Sequence, residues 1–337
     1  MNNRLENLDL ERKIRLLTGA DPWSVHPEPR VGLRRLVMSD GPAGVRWDGR
    51  SPNLPCPTAL AASWDPDRVQ RIGRLLAAEC RRQGIDVLLS PTVNLQRSPY
   101  SGRHFECFSE DPRLTAGIGA AFVKGLQSQG VAATAKLFVT DDSPTRRFTT
   151  DVRLAERALR ELSLQPFEVL VREAGVWAVL AAGHEVNRAE SAILQQEWGF
   201  DGVTMSDWPA GRSTTLIEAL RDGLITEEQI DDRVRRILRL ADRVGALETP
   251  EEPDNRTPER PEPWGDSEIR RELRATVAAG FVLLRNTFTP PDPDNIQDHP
   301  LLPLTAGELH KIAVIGPNAA GDLLGEEGAP ALPHTVS

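Results

Sequence analysis

Four short polar segments each follow an apolar run: Ser39-Asp40-Gly41-Pro42, Ser90-Pro91-Thr92-Val93-Asn94, Lys136 after Ala135, and Ser206-Asp207-Trp208 after Met205. If the runs are parallel strands of a barrel, the groups at their carboxyl ends converge on one mouth, which is where such folds place their chemistry. The carboxylates Asp40 and Asp207 are then the first candidates for acid–base or nucleophilic work. Taken singly, an aspartate at such a place is also an ordinary helix cap or turn former.

The elements that must position these residues follow from the spacing of apolar side chains. Asp65 caps a helix opened by Pro66, with Val69, Ile72, Leu75, Leu76 and Cys80 on one face and Gly84 as a left-handed stop. Residues 85–89 follow, apolar except for Asp86, which suits a strand buried on both faces along most of its length. The unit recurs. Asp111-Pro112 opens a helix ending at Gly130 before a strand at 131–135, and a helix at 154–174 precedes a strand at 177–181. A segment at 189–198 leads to a strand at 202–205. With 36–39 and a run at 58–61, five or six strands are accounted for, and a closed barrel needs eight. The expected fold is α/β, an incomplete (β/α)8 TIM-like barrel. A long helix over 226–246, capped by Thr226, turns Val234, Ile237, Leu238 and Val244 inward.

Residues 249–263 carry five prolines and five carboxylates with almost no apolar side chain, the composition of a linker. Beyond it a helix is expected at 269–279 and strands at 281–285 and 312–315, separated by a proline-rich loop. The reading is therefore a barrel domain over 1–247, a linker over 248–265 and a truncated α/β sandwich fragment over 266–337.

The 337 residues include 40 Lys and Arg against 49 Asp and Glu, a net charge of −9 that argues against nucleic acid or an anionic membrane surface as partner. No run of eighteen apolar residues exists, and the N-terminal residues mix both signs of charge, so no membrane span or targeting segment is expected. Cys56, Cys80 and Cys107 are widely spaced, which reads as free thiols in a reducing, cytoplasmic setting. The six histidines are dispersed without metal-ligand spacing, so no metal is expected. Residues 312–321 are an apolar run with Gly316 and Gly321, but Pro317 occupies the turn and the third glycine of a dinucleotide fingerprint is missing. No cofactor is expected.

Three runs carry a family resemblance. Ser39-Asp40-Gly41-Pro42-Ala43-Gly44-Val45-Arg46, the stretch from Gly102-Arg103-His104-Phe105-Glu106 to Asp111-Pro112, and the stretch from Glu197-Trp198-Gly199-Phe200 to Ser206-Asp207-Trp208 resemble glycoside hydrolase family 3, of the β-glucosidase type. The likeness covers most of residues 14–247 and resumes at 278–285 and 312–318, where that family begins its sandwich domain. It implies a retaining β-glucosidase of carbohydrate metabolism, a glycosidase acting on a small β-glucoside or oligosaccharide. Asp207 is then the nucleophile, and Asp40, Arg103, Lys136 and Arg147 hold sugar hydroxyls. Trp208 is either an apolar sugar platform or barrel packing.

Departures from the family pattern carry the alternative reading. The family has Lys-His where this chain has Lys136-Leu137, and a tyrosine and asparagine where it has Gly183-His184. The family's next strand, with its own aspartate, is absent between Leu220 and Gly223, which predicts bare strand edges and a widened mouth. The family's general acid/base is a glutamate of the sandwich domain, and no residue here inherits that role; Glu106 and Glu110 are the available substitutes, but both read rather as structural members of a polar loop. The alternative is thus a catalytically impaired member, a pseudoenzyme or sugar-binding remnant. A homo-oligomer in which a second copy supplies the glutamate by domain exchange stays open.

Overall fold

The helix that feeds the third strand shows how sequence sets the architecture. The Asp65 side chain accepts the Arg68 N–H, Pro66 takes the first turn, and Val69, Ile72, Leu75, Leu76 and Cys80 are buried. Burial pushes the Cys80 thiol pKa up, so it behaves as a small apolar group. After Gly84, at φ 72°, comes a strand whose three residues are all buried. Asp86, just before it, is gripped by Arg34 through two bonds of 2.8 and 2.7 Å and accepts the Val37 N–H at 2.9 Å. One carboxylate thereby ties together the amino ends of two adjacent strands.

The computed structural model describes residues 2–47, 51–139, 154–181, 192–206, 213–248, 264–286, 302–305, 307, 309–313 and 315. Its helices are α1 (Asn2–Glu6), α2 (Leu10–Thr18), α3 (Pro57–Ala61), α4 (Pro66–Arg82), α5 (Pro112–Gln127), α6 (Glu156–Ala158), α7 (Leu164–Arg172), α8 (Ser213–Arg221), α9 (Glu227–Arg243) and α10 (Asp266–Ala279). The strands are β1 (Ser24–Val25), β2 (Leu36–Asp40), β3 (Val87–Leu89), β4 (Ala132–Phe138), β5 (Ala178–Ala181) and β6 (Val203–Met205). They form one sheet in the order β1-β2-β3-β4-β5-β6, with β1 antiparallel and the rest parallel. Among the described residues no pairing joins β6 to β1, so the sheet is an incomplete barrel.

Alternation along the strands divides the core. Leu88, Ala133, Ala135 and Val179 join the large cluster built by α4, α5 and α7, including Ile72, Phe122 and Phe167. Val87 and Ala132 face the other way and cluster with Leu240 of α9, against which Met38, Val203 and Met205 also pack. Helix α9 starts with a reciprocal capping box between Thr226 and Gln229 and buries Val234 and Leu238 completely. It ends at Arg243, and Val244 packs just beyond it.

Three expectations are corrected. Residues 58–61 form not a strand but helix α3, opened by Pro57, with Leu60 and Ala61 in the core. The Thr58 hydroxyl donates to the carbonyls of His104 and Cys107 instead of standing in a ladder. The helix expected over 154–174 is divided into α6, a π-helical turn over Leu159–Ser163, and α7. Residues 281–285, and those of 312–315 that are described, form no strand. Phe281, Leu284 and Ile315 are 78, 91 and 91% exposed, and an apolar run without a partner's backbone groups has nothing to ladder with. Helix α10 does form, docking through Trp264, Ile269 and Leu273 and through a bridge from Arg71 to Glu272 of 3.2 Å. Residues 249–263, expected to be a linker, lie outside the described residues. Among the described residues no helix is long and apolar enough to cross a membrane.

Candidate active site

Asp40 is the last residue of β2. The chain then folds back sharply at Gly41, φ 148°, where any Cβ would collide with the Gly44 carbonyl, so glycine is required. The returning Arg46 N–H donates to the Asp40 carbonyl at 2.9 Å, and the Ser39 hydroxyl donates to the Arg46 carbonyl at 2.9 Å. This closed loop holds the Asp40 side chain at the carboxyl end of the sheet and sets the Arg46 guanidinium 3.8 Å from its Oδ2.

Lys136 arrives from β4, two strands away. Its Nζ donates to Asp40 Oδ1 at 2.7 Å, and its side chain is only 5% exposed. Burial pushes the Asp40 carboxyl upward in pKa. The charge and hydrogen bond of Lys136, the charge of Arg46 and the Gly41 N–H outweigh that and hold it below the ordinary carboxylate range. Asp40 is therefore an ionised acceptor with lone pairs to spare, beside an ammonium with further donors. This pairing suits a neutral polyol, whose hydroxyls both donate and accept.

Arg103 precedes the 3-10 turn His104–Glu106 and is held by Glu106 through two parallel bonds of 3.0 Å each. Thr92 makes bridge pairs with both Cys107 and Lys136, so this turn lies alongside the carboxyl end of β4. The structure thus joins Asp40 directly to Lys136 and sets the Arg103 turn beside the strand that carries Lys136. Strand β6 ends at Met205. Asp207 and Trp208, and likewise Arg147, lie outside the described residues.

Sequence reasoning passed over two contributors. Arg46 ends the run that begins at Ser39, and nothing local announces that it returns to Asp40. Glu106 read as loop structure, and the structure shows what that means: it orients Arg103. An arginine and a glutamate three positions apart in a polar loop were the available signal.

A model of the glycosyl hydrolase family 3 N-terminal domain matches residues 21–215, more than half of the chain. A β-glucosidase of Rhizobium radiobacter is 39% identical over 94% of this chain and 41% of its own length. β-Glucosidase B of Emericella nidulans is 37% identical over 84% of this chain and 37% of its own. Among solved structures, β-glucosidase 3B from Thermotoga neapolitana in complex with glucose superposes with a TM-score of 0.74 at 32% identity, over 85% of this chain and 47% of that one. The chain thus spans less than half the length of these relatives.

Proposed function

The chain belongs to glycosyl hydrolase family 3, and on that premise we propose that it carries the sugar-binding and nucleophilic half of a retaining β-glucosidase. The observation that supports this most is the Lys136–Asp40 pair, a dry cation and an ionised carboxylate joined at 2.7 Å at the carboxyl end of the sheet. The proposal includes the division into a barrel over 1–247, a linker and a sandwich fragment from 266.

In this reading Asp40, Lys136, Arg103 and Arg147 fix the hydroxyls of a β-glucoside, and Trp208 backs the ring. A carboxylate oxygen of Asp207 attacks the anomeric carbon, and the bond from that carbon to the aglycone oxygen breaks. A glycosyl ester on Asp207 results, which water hydrolyses with net retention. Ordinarily a second carboxyl group about 5 Å away protonates the leaving oxygen and later activates the water. The resemblance assigns that role to no residue among the 337, and general acid help is worth roughly 10² to 10⁴ in rate. A substrate whose leaving group departs as a stable anion needs such help least, which makes it the sensitive probe for Asp207.

The test is release of p-nitrophenol from p-nitrophenyl β-D-glucoside. Turnover is expected from the wild type and not from Asp207→Asn, and a 2-fluoro-glucoside with a good leaving group is expected to label Asp207. Equal rates in the two proteins, or a label elsewhere, would exclude the assignment.

A further inference from the structure

Lys136 reaches Asp40 from the point where the ladder between β4 and β5 is interrupted. The β4–β5 register pairs Lys136 with Leu180 and Phe138 with Ala181, so Leu137 is an extra, bulged residue with no ladder partner. A bulge re-aims the side chains around it, and its own backbone groups need other partners. Both come from one side chain. The Leu137 N–H donates to Asn94 Oδ1 at 2.6 Å, and Asn94 Nδ2 donates to the Leu137 carbonyl at 3.0 Å. Asn94 is 6% exposed and Leu137 4%, so water has little access to replace these bonds. Neighbouring backbone bonds complete the frame: the Lys136 carbonyl accepts the Val93 N–H at 2.8 Å, and the Lys136 N–H donates to the Pro91 carbonyl at 3.0 Å.

We propose that Asn94 is a positioning residue of this site: by pairing with both backbone groups of the bulged Leu137 it aims Lys136 at Asp40 and so sets the affinity for the sugar. The last clause rests on reading this mouth as a sugar site. Primary amides match this task because one end donates and the other accepts, in a fixed plane.

The experiment follows the titration of the Asp40 carboxyl by carbon-13 NMR and the binding of glucose by calorimetry, in wild type, Asn94→Ala and Val93→Ala, with thermal melting of each. Val93 is fully buried, and its truncation loosens the same segment while keeping the backbone bond to Lys136. In folded Asn94→Ala the Asp40 titration is expected to rise toward the ordinary carboxylate range, and glucose affinity to fall on the order of tenfold or more. Val93→Ala is expected to melt earlier with both properties near wild type. Asn94→Ala with wild-type titration and glucose affinity overturns the proposal, and so do equal shifts in both variants. If Asn94→Ala does not fold, Asn94→Ser, uncharged and still polar, is read by the same two measurements against the same outcomes. A wild type that binds no glucose, with the Asp40 shift present in the Asn94 variant, refutes the sugar reading and leaves the positioning role standing.

Discussion

Lys136 and Asp40 stand 96 positions apart in the chain, and their charged atoms meet at 2.7 Å. The lysine is almost wholly buried while the aspartate keeps about a quarter of its surface. Burying the pair costs desolvation that its attraction must offset, and removing one partner strands the other charge in a poorly hydrated place.

Acid sensitivity follows from this pair. Burial pushes the Asp40 carboxyl up in pKa, and Lys136, with Arg46 and the Gly41 N–H, outweighs it and holds the group below the ordinary carboxylate range. A depressed folded pKa stabilises fully above the unfolded value and loses that contribution as pH falls through the folded one. Lys136→Met is therefore expected to lose about 1–3 kcal/mol at neutral pH and to show a shallower fall of stability in the acid range. Urea unfolding of both proteins from neutral to acid pH measures this, and identical curves would mean that the pair contributes nothing.

Glu106 orients Arg103, so its effect should appear in binding. Glu106→Gln keeps one hydrogen bond of the two and removes the charge. Losing a charge-assisted bond costs about 1.5–3 kcal/mol, so glucose affinity is expected to drop on the order of tenfold. Calorimetry at a temperature where the variant is folded decides it, and unchanged affinity would detach Arg103 from the sugar.

Two glycines of α5 should respond in opposite directions to alanine. Helices α4 and α5 cross with backbones touching, and a Cβ on Gly125 would run into the Gln70 carbonyl. Gly125→Ala is expected to destabilise by about 1–3 kcal/mol or more. Gly117 lies exposed on the same helix with nothing within 4 Å, so Gly117→Ala is expected to stabilise by roughly 0.5–1 kcal/mol. Thermal melting by circular dichroism compares them, and shifts of the same sign would contradict the close crossing.

Asp86 interrupts an apolar run, and composition alone suggests that leucine would improve it. The structure implies the reverse, because Asp86→Leu strands the Val37 N–H and leaves Arg34 without its two carboxylate bonds. A loss of about 1–3 kcal/mol is expected for the buried donor alone. Chemical denaturation measures it, and a more stable leucine variant would show that the tie is dispensable.

The alternation of helix and strand from α4 to β6, the caps at Asp65 and Thr226, the helix opening at Asp111-Pro112 and the buried face of α4 were legible from the chain alone, because each depends on residues within a turn or two of one another. The family resemblance likewise lay in contiguous motifs, and it named Asp40, Arg103 and Lys136. What joined them was not legible. The Lys136–Asp40 contact, the return of Arg46 and the hold of Asn94 on Leu137 depend on strand order, register and one bulge, which no local spacing encodes. The same reason explains the misread segments: 58–61 became a helix because Pro57 and its core contacts favoured one. The apolar run at 281–285 stayed out of the sheet because a strand exists only where another backbone is present to receive its hydrogen bonds.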